Sequence, residues 1–408
     1  ETGIYMDGEY AEEVEYIPNP AARSRDAHAP GFITPSSTRA VRNFLETIPG
    51  YRPTPLLSLS SLADDLGVRD ILVEDESYRL GLNSFKPIGC SYAMARLVYE
   101  LAGLEDDTPL FSVLQSPELH ERVGNVTFTT ATDGNHGRGV GWMARQMGMD
   151  AVIYVPRGTV HARIKAIEET GAKVVVVDGN YDEAVRTARS EAQRRDWVIV
   201  SDTAWKGYEK IPTWIMQGYS ALFDEVTERM SRKPTHLFLQ AGVGAFAGSA
   251  LGYYVEHMGR NRPRTTVVEP MRAACFLESM KKGRSTCIAG DLDTMMAGLA
   301  CGEPNPLAWP VVSSYADLFV ACGDSVAARG MRALAAPTGD DPVIESGESG
   351  AVGLGLLLEA FERSDLEQLR TCLALDSRST VLLINTEGAT DPVNYRQVVG
   401  RTSRCRDV

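Results

Sequence analysis

No run of apolar residues in this sequence reaches the roughly 20 that a membrane-spanning helix needs, so a membrane partner is not expected. Positive charge is also scarce. Against 54 Asp and Glu stand 41 Lys and Arg, and the formal net charge is −13. Nucleic-acid binders neutralise phosphates with clustered cations, so that balance argues against a nucleic-acid partner. The six histidines show no HxxxH or HxH spacing, and the seven cysteines no CxxC spacing, so no metal site is expected. An odd, sparse cysteine set in a long chain points to a reducing, cytoplasmic setting. Whether Cys275 and Cys301 meet is left open. The opening residues ETGIYMDGEY lack the charged head and apolar centre of a secretory signal. No internal repeat or low-complexity segment interrupts the chain.

What is present is ordinary globular composition, 44% hydrophobic and 23% charged, over 408 residues. That length exceeds what one hydrophobic core usually serves, so two domains are expected. Residues 1–47 read as an irregular N-terminal arm. From 48 onward, SSLADDLG reads as a short helix leading into the strand ILVEDE. Over the segment 126–200 the runs VTFTTA, AVIYVP, KVVVVDG and WVIVSD alternate with helical patterns, including a helix over 160–171 that ends at Gly171. Strands alternating with helices of that length imply βαβ units and a parallel sheet, whose strands are buried on both faces. Further strands THLFLQ, TTVVEP and TVLLINT lie in the second half. The expected fold class is α/β: two three-layer αβα domains with mostly parallel twisted sheets, and the site in the cleft between them. The expected boundaries are 48–87 with 206–408 for the larger domain, and 88–205 for the smaller.

Four stretches carry chemistry. In LFLQAGVGAFAGSALGYY (237–254) a strand ends at Gln240 and a helix is expected from about Phe246. Free N–H groups at such a helix start bind anions, and glycines let a phosphate approach. Tight strand–helix packing explains the glycines equally well. The pattern is not GxxxxGK[ST], so a nucleotide P-loop is not expected. In LNSFKPIGC (82–90) one lysine, Lys86, sits among apolar neighbours where Pro87 starts a helix. A desolvated amine can form a Schiff base with an aldehyde, although a lone lysine more often snorkels outward. One aldehyde and one phosphate together describe pyridoxal 5′-phosphate.

The third stretch, TTATDGNHGRGVGW (129–142), is another strand-to-helix turn. Asn135 can donate to a phenolate oxygen there. Asp133 either caps the helix or serves a cation, and His136 reads as an ordinary capping or solvent residue. The fourth is VSDTAWKGYEKIP (200–212), where Asp202 ends a strand and either caps the next turn or faces the site. Trp205 and Tyr208 can wall a pocket.

Together these stretches resemble the fold-type II pyridoxal phosphate enzymes, the family of threonine and serine dehydratases and the tryptophan synthase β-subunit. NSFKPIG (83–89) is similar to their lysine motif, and DGNHGRG (133–139) to their SxGNHxxG loop. The resemblance narrows to the diaminopropionate ammonia-lyase family. It does so through GYRPTPL (50–56), GLNSFK (81–86), TDGNHGRGV (132–140), DTAWKGY (202–208), IPTWIMQGY (211–219), QAGVGA (240–245), MAGLACGEPNPL (296–307) and SGESGAVGLG (346–355). It runs from about residue 48 to the end. Ser84 and Pro87 stand where members vary, and Lys206 where an acid is common.

The resemblance implies that Lys86 holds the cofactor with Phe85 packed on its ring, and that Asn135 bonds its phenolic oxygen. It implies that Gly242, Val243, Gly244 and Ala245 cradle the phosphate. Thr386 in INTEG is the implied hydroxyl for the pyridine nitrogen, with Asn385 as the other choice. It implies elimination of ammonia from 2,3-diaminopropionate, giving aminoacrylate, then pyruvate and a second ammonia. Lys86 is the implied base for one enantiomer and Asp133 for the other. Asp133 or Asp202 would pair with the β-ammonium and discriminate against serine. Thr132, His136 and Glu348 are implied substrate-side residues, and the expected assembly is a homodimer. A β-replacement synthase or a serine/threonine-type dehydratase of the same fold, and a cofactor-carrying binding protein without turnover, are the alternatives.

Overall fold

Along the strands of this protein, successive apolar side chains belong to different cores. Leu237 and Leu239 pack into one core while Phe238 packs into another, and Leu382 and Val381 divide in the same way. A strand with both faces covered reads as a continuous apolar run because neither face meets water. The computed structural model describes residues 13–23, 30–104, 108–132 and 134–400. Within them lie the strands β1 (Val14–Pro18), β2 (Leu56–Ser58), β3 (Asp70–Asp75), β4 (Thr127–Ala131), β5 (Asp150–Pro156), β6 (Lys173–Val177), β7 (Val198–Ile199), β8 (His236–Gln240), β9 (Arg264–Pro270), β10 (Leu318–Cys322) and β11 (Thr380–Asn385).

They form two sheets. The larger has the order β1-β10-β9-β8-β11-β3-β2, and the smaller the order β6-β5-β4-β7. The smaller is parallel throughout. In the larger, only the edge strands β1 and β2 are antiparallel to their neighbours. The expected three-layer α/β architecture is borne out. β8 and β11 are neighbours in space but not in sequence: from β8 the chain goes on to β9 and β10 on one side, while β11 pairs on its other side with β3, which precedes β8. That is the topological switch point where α/β sheets hold ligands.

Several local expectations need correction. The described residues within 13–47 are not an irregular arm. β1 pairs with β10 at the sheet edge, and the helix Pro35–Glu46 buries Val41, Phe44 and Leu45. That helix starts with a reciprocal cap: Ser37 N–H donates to Thr34 Oγ1 at 3.1 Å and Thr34 N–H to Ser37 Oγ at 2.9 Å. A serine at the third helical position replaces the usual Glu or Gln, which hides the signal. WVIVSD pairs only over Val198–Ile199, the helix expected over 160–171 is His161–Glu168, and the helix expected from Phe246 begins at Ala245. β10 was not anticipated at all.

The helix Lys86–Leu101 packs on the helix Lys210–Arg229 and on the helix Asn135–Gln146, so it touches elements of both sheets. Its contact with Lys210–Arg229 is made through glycines. A Cβ on Gly218 would lie 2.6 Å from the Gly89 Cα, and one on Gly89 would lie 2.3 Å from the Tyr219 ring. Only hydrogen at both positions permits that approach.

Candidate active site

Five loops at the carboxyl ends of β3, β4, β7, β8 and β11 converge on one cleft, whose walls include Lys86, Asn135, Asp202, Gly244 and Thr386. The loop after β3 reaches Lys86 through two non-glycine residues with positive φ, Leu80 (52°) and Asn83 (60°). The loop is then held by backbone bonds to the segment after β11. Phe85 N–H donates to Thr386 O at 3.2 Å, and Gly388 N–H donates to Asn83 O at 3.1 Å. Lys86 is the first residue of its helix, with Pro87 behind it. Its stem lies against an aromatic cluster in which the Phe85 ring is 4.8 Å from Tyr219 and 4.6 Å from Phe246. The lysine does not snorkel outward: its side chain is 19% exposed, and Nζ donates to Asp202 Oδ2 at 2.6 Å.

That ion pair settles the alternatives for Asp202, which is not a turn cap. Burial acts to raise its pKa, but the Lys86 ammonium, through its charge and the hydrogen bond it donates, outweighs that and holds the carboxyl down at about 2. His136 is not a solvent or capping residue either. It is buried, and its Nε2 lies 2.7 Å from Val200 O, so Nε2 carries the proton. Burial lowers its pKa, which keeps the ring neutral. It therefore anchors the strand end that presents Asp202. Trp205 and Tyr208 do not wall the pocket. They stack on each other with centroids 4.1 Å apart, and the Tyr208 hydroxyl bridges Ser201 N–H and Ile199 O.

On the β4 side, Thr132 Oγ1 accepts from Gly134 N–H at 2.9 Å and from Gly137 N–H at 3.0 Å, which shapes the turn. The helix cap is Gly134, with no side-chain cap. Asn135 instead donates through Nδ2 to Glu387 Oε2 at 2.5 Å. Asp133 lies outside the described residues.

After β8, the N–H groups of Gly242, Val243, Gly244 and Ala245 find no acceptor among the described residues. They stand at the start of the 14-residue helix Ala245–Met258. Gly244 has φ +86°, and a Cβ there would lie 2.2 Å from Phe276. Cys275 and Cys301, the pair left open above, are both buried, and neither is in a disulfide. After β11, Thr386 borders the cleft, whereas Asn385 is turned to Asp75 Oδ1 at 2.8 Å and to Glu345 O at 3.1 Å. Of the two candidates for the pyridine nitrogen, Thr386 is the one that borders the cleft. Glu348 does not border the cleft. It takes Asn394 Nδ2 at 2.5 Å and faces Arg163 at 3.6 Å, while its neighbour Ser349 lines the wall. The sequence reading missed Glu387. Its one signal was its place beside Thr386 in INTEG.

Among the described residues, no cluster of three or more His, Cys, Asp or Glu could hold a metal ion, and no helix is long and apolar enough to cross a membrane. The residues do fit pyridoxal 5′-phosphate. A partly buried primary amine is available for its aldehyde, and a row of free N–H groups at a helix start is available for its phosphate.

Fold and cleft together define a fold-type II pyridoxal phosphate enzyme, and residues 47–377 match the family described as "Pyridoxal-phosphate dependent enzyme". The chain belongs to that family, in its diaminopropionate ammonia-lyase branch. It is 50% identical over 367 residues to the diaminopropionate ammonia-lyase of Escherichia coli strain K12, covering 89% of this chain and 91% of the relative. The crystal structure of the selenomethionine-containing holo enzyme from Escherichia coli superposes with a TM-score of 0.89 at 45% identity, covering 97% of this chain and 99% of that one. The same enzyme in complex with an aminoacrylate-PLP azomethine reaction intermediate gives 0.88 at the same identity and coverage.

Proposed function

We propose that this protein eliminates ammonia from 2,3-diaminopropionate to give aminoacrylate, which water then hydrolyses to pyruvate and a second ammonia. The observation that carries the reading is Lys86, partly buried and paired with Asp202, in the same cleft as the free N–H row at 242–245. When bound, pyridoxal 5′-phosphate supplies an electron sink for the carbanion formed at the substrate α-carbon.

The chain's residues do the rest. The N–H groups at 242–245 hold the phosphate, and Thr386 offers a neutral hydroxyl to the pyridine nitrogen. Asn135 presents its amide to the phenolic oxygen. Lys86 removes the α-proton of one enantiomer at Nζ, and Asp133 that of the other. Asp202 stays ionised and orients Lys86 through their ion pair. Thr132 and His136 shape the two loops that close the cleft on the small-sheet side. The two sheets support the division into 48–87 with 206–408, and 88–205. The cysteines among the described residues, none in a disulfide, support a reducing, cytoplasmic setting. The homodimer rests on the family resemblance and is checked by light scattering.

Coupled dehydrogenase detection of pyruvate from D- and L-2,3-diaminopropionate, beside D- and L-serine, tests the reading. Pyruvate is expected from diaminopropionate without any added nucleophile. None from either enantiomer would overturn it.

A further inference from the structure

Glu387 is 2% exposed yet borders the cleft. Its Oε2 accepts from Asn135 Nδ2 at 2.5 Å and from Thr390 Oγ1 at 3.2 Å, and Oε1 accepts weakly from Ser349 N–H at 3.4 Å. All three donors are neutral. No ion pair joins Glu387 to a cation among the described residues, since Arg163 faces Glu348 and Lys86 is paired with Asp202. The neighbourhood carries excess negative charge. The Glu348 carboxyl is pushed up by burial and further by Glu387, against the opposing pull of Arg163.

A buried carboxylate that meets only neutral donors is costly, and the cost falls when a cation arrives. Serine and 2,3-diaminopropionate share the α-amine and the carboxylate, and differ only in a β-hydroxyl against a β-ammonium. We propose that Glu387 is the counter-charge for the substrate's second ammonium group, and so a residue that selects diamino over hydroxy amino acids. The inference rests on the elimination reading above. It departs from the expectation that Asp202 does this work, because Asp202 already neutralises Lys86.

Glu387→Gln keeps the size of the side chain and an acceptor for Asn135 while removing the charge. The kcat/KM ratio of diaminopropionate to serine should fall by about thirtyfold or more, the lower range for a broken buried charge pair. A second measurement avoids turnover. Borohydride reduction locks Lys86 to the cofactor, and calorimetry then reads the Kd of diaminopropionate and of serine. The variant should lose diaminopropionate binding selectively. Equal loss for both substrates with a moved cofactor absorbance would mean that Glu387 only orients Asn135, and would overturn the proposal. An unchanged ratio would overturn it too. If the wild type makes no pyruvate from diaminopropionate, the elimination reading fails, and equal diaminopropionate Kd values for the reduced wild type and variant would then sink this inference separately.

Discussion

Phe85 N–H donates to the carbonyl oxygen of Thr386 at 3.2 Å, so the lysine loop and the loop expected to face the pyridine nitrogen are one backbone unit. Gly388 N–H to Asn83 O, and the bridge of Ser84 with Glu387, extend that unit on both sides. The spacing between Lys86 and Thr386 is thus set by main-chain bonds, whose partners cannot change rotamer. Glu387 and Lys86 are held in one frame for the same reason.

Lys86→Ala should abolish the lysine–cofactor absorbance band and reduce pyruvate formation below detection, with far-ultraviolet circular dichroism unchanged. A retained band would contradict the Schiff-base assignment.

Asp202→Asn should alter the acid limb of stability. In the folded protein the Asp202 carboxyl sits at about 2, against about 3.9 in an unfolded chain. A depressed carboxyl stabilises the fold above the unfolded value, and that stabilisation is lost as pH falls through the folded one. The window is therefore roughly pH 4 to 2, and the amount about 2 to 3 kcal/mol. Acid unfolding of the variant followed by fluorescence should lack this component. An identical acid profile for both proteins would mean that the pair contributes nothing.

Gly244→Ala places a Cβ where φ is +86° and 2.2 Å from the Phe276 ring. The strain is on the order of 1–3 kcal/mol, and it falls on the loop expected to hold the phosphate. Cofactor titration should show weakened binding, by more than the loss in thermal stability of the cofactor-free protein accounts for.

Gly89→Ala inserts a methyl 2.3 Å from Tyr219 at the crossing of two helices. Overpacking of this kind costs about 1–3 kcal/mol, so calorimetry should show a lower Tm. The same shift tilts the helix that begins at Lys86, so the cofactor absorbance should move as well. A variant with unchanged Tm would show that the crossing can relax.

Much of the fold was legible because it is written in local patterns. β3 to β6, β8, β9 and β11 are short apolar runs bounded by turn residues, and the helices between them repeat at helical spacing. Strands β1 and β10 were not legible. β1 is half polar, and its edge position is defined only by pairing with residues about 300 positions away. The helix Pro35–Glu46 was hidden by an unusual cap.

At the site, the sequence alone determined the chemistry-bearing types: a lysine ahead of a proline-started helix, a glycine turn without a nucleotide motif, and an asparagine at a strand-to-helix turn. Tertiary structure decided which groups serve which. Asp202 could cap a turn or face the site until Lys86, 116 residues away, was seen to pair with it. Thr386 was the implied hydroxyl with Asn385 as the other choice, and the fold turns the asparagine to Asp75. Glu387 had no role until Asn135, 252 residues away, was found against it. Local propensity and spacing act over a few residues. Burial and charge pairing join residues that only the folded chain brings together, and there the selectivity of the cleft is set.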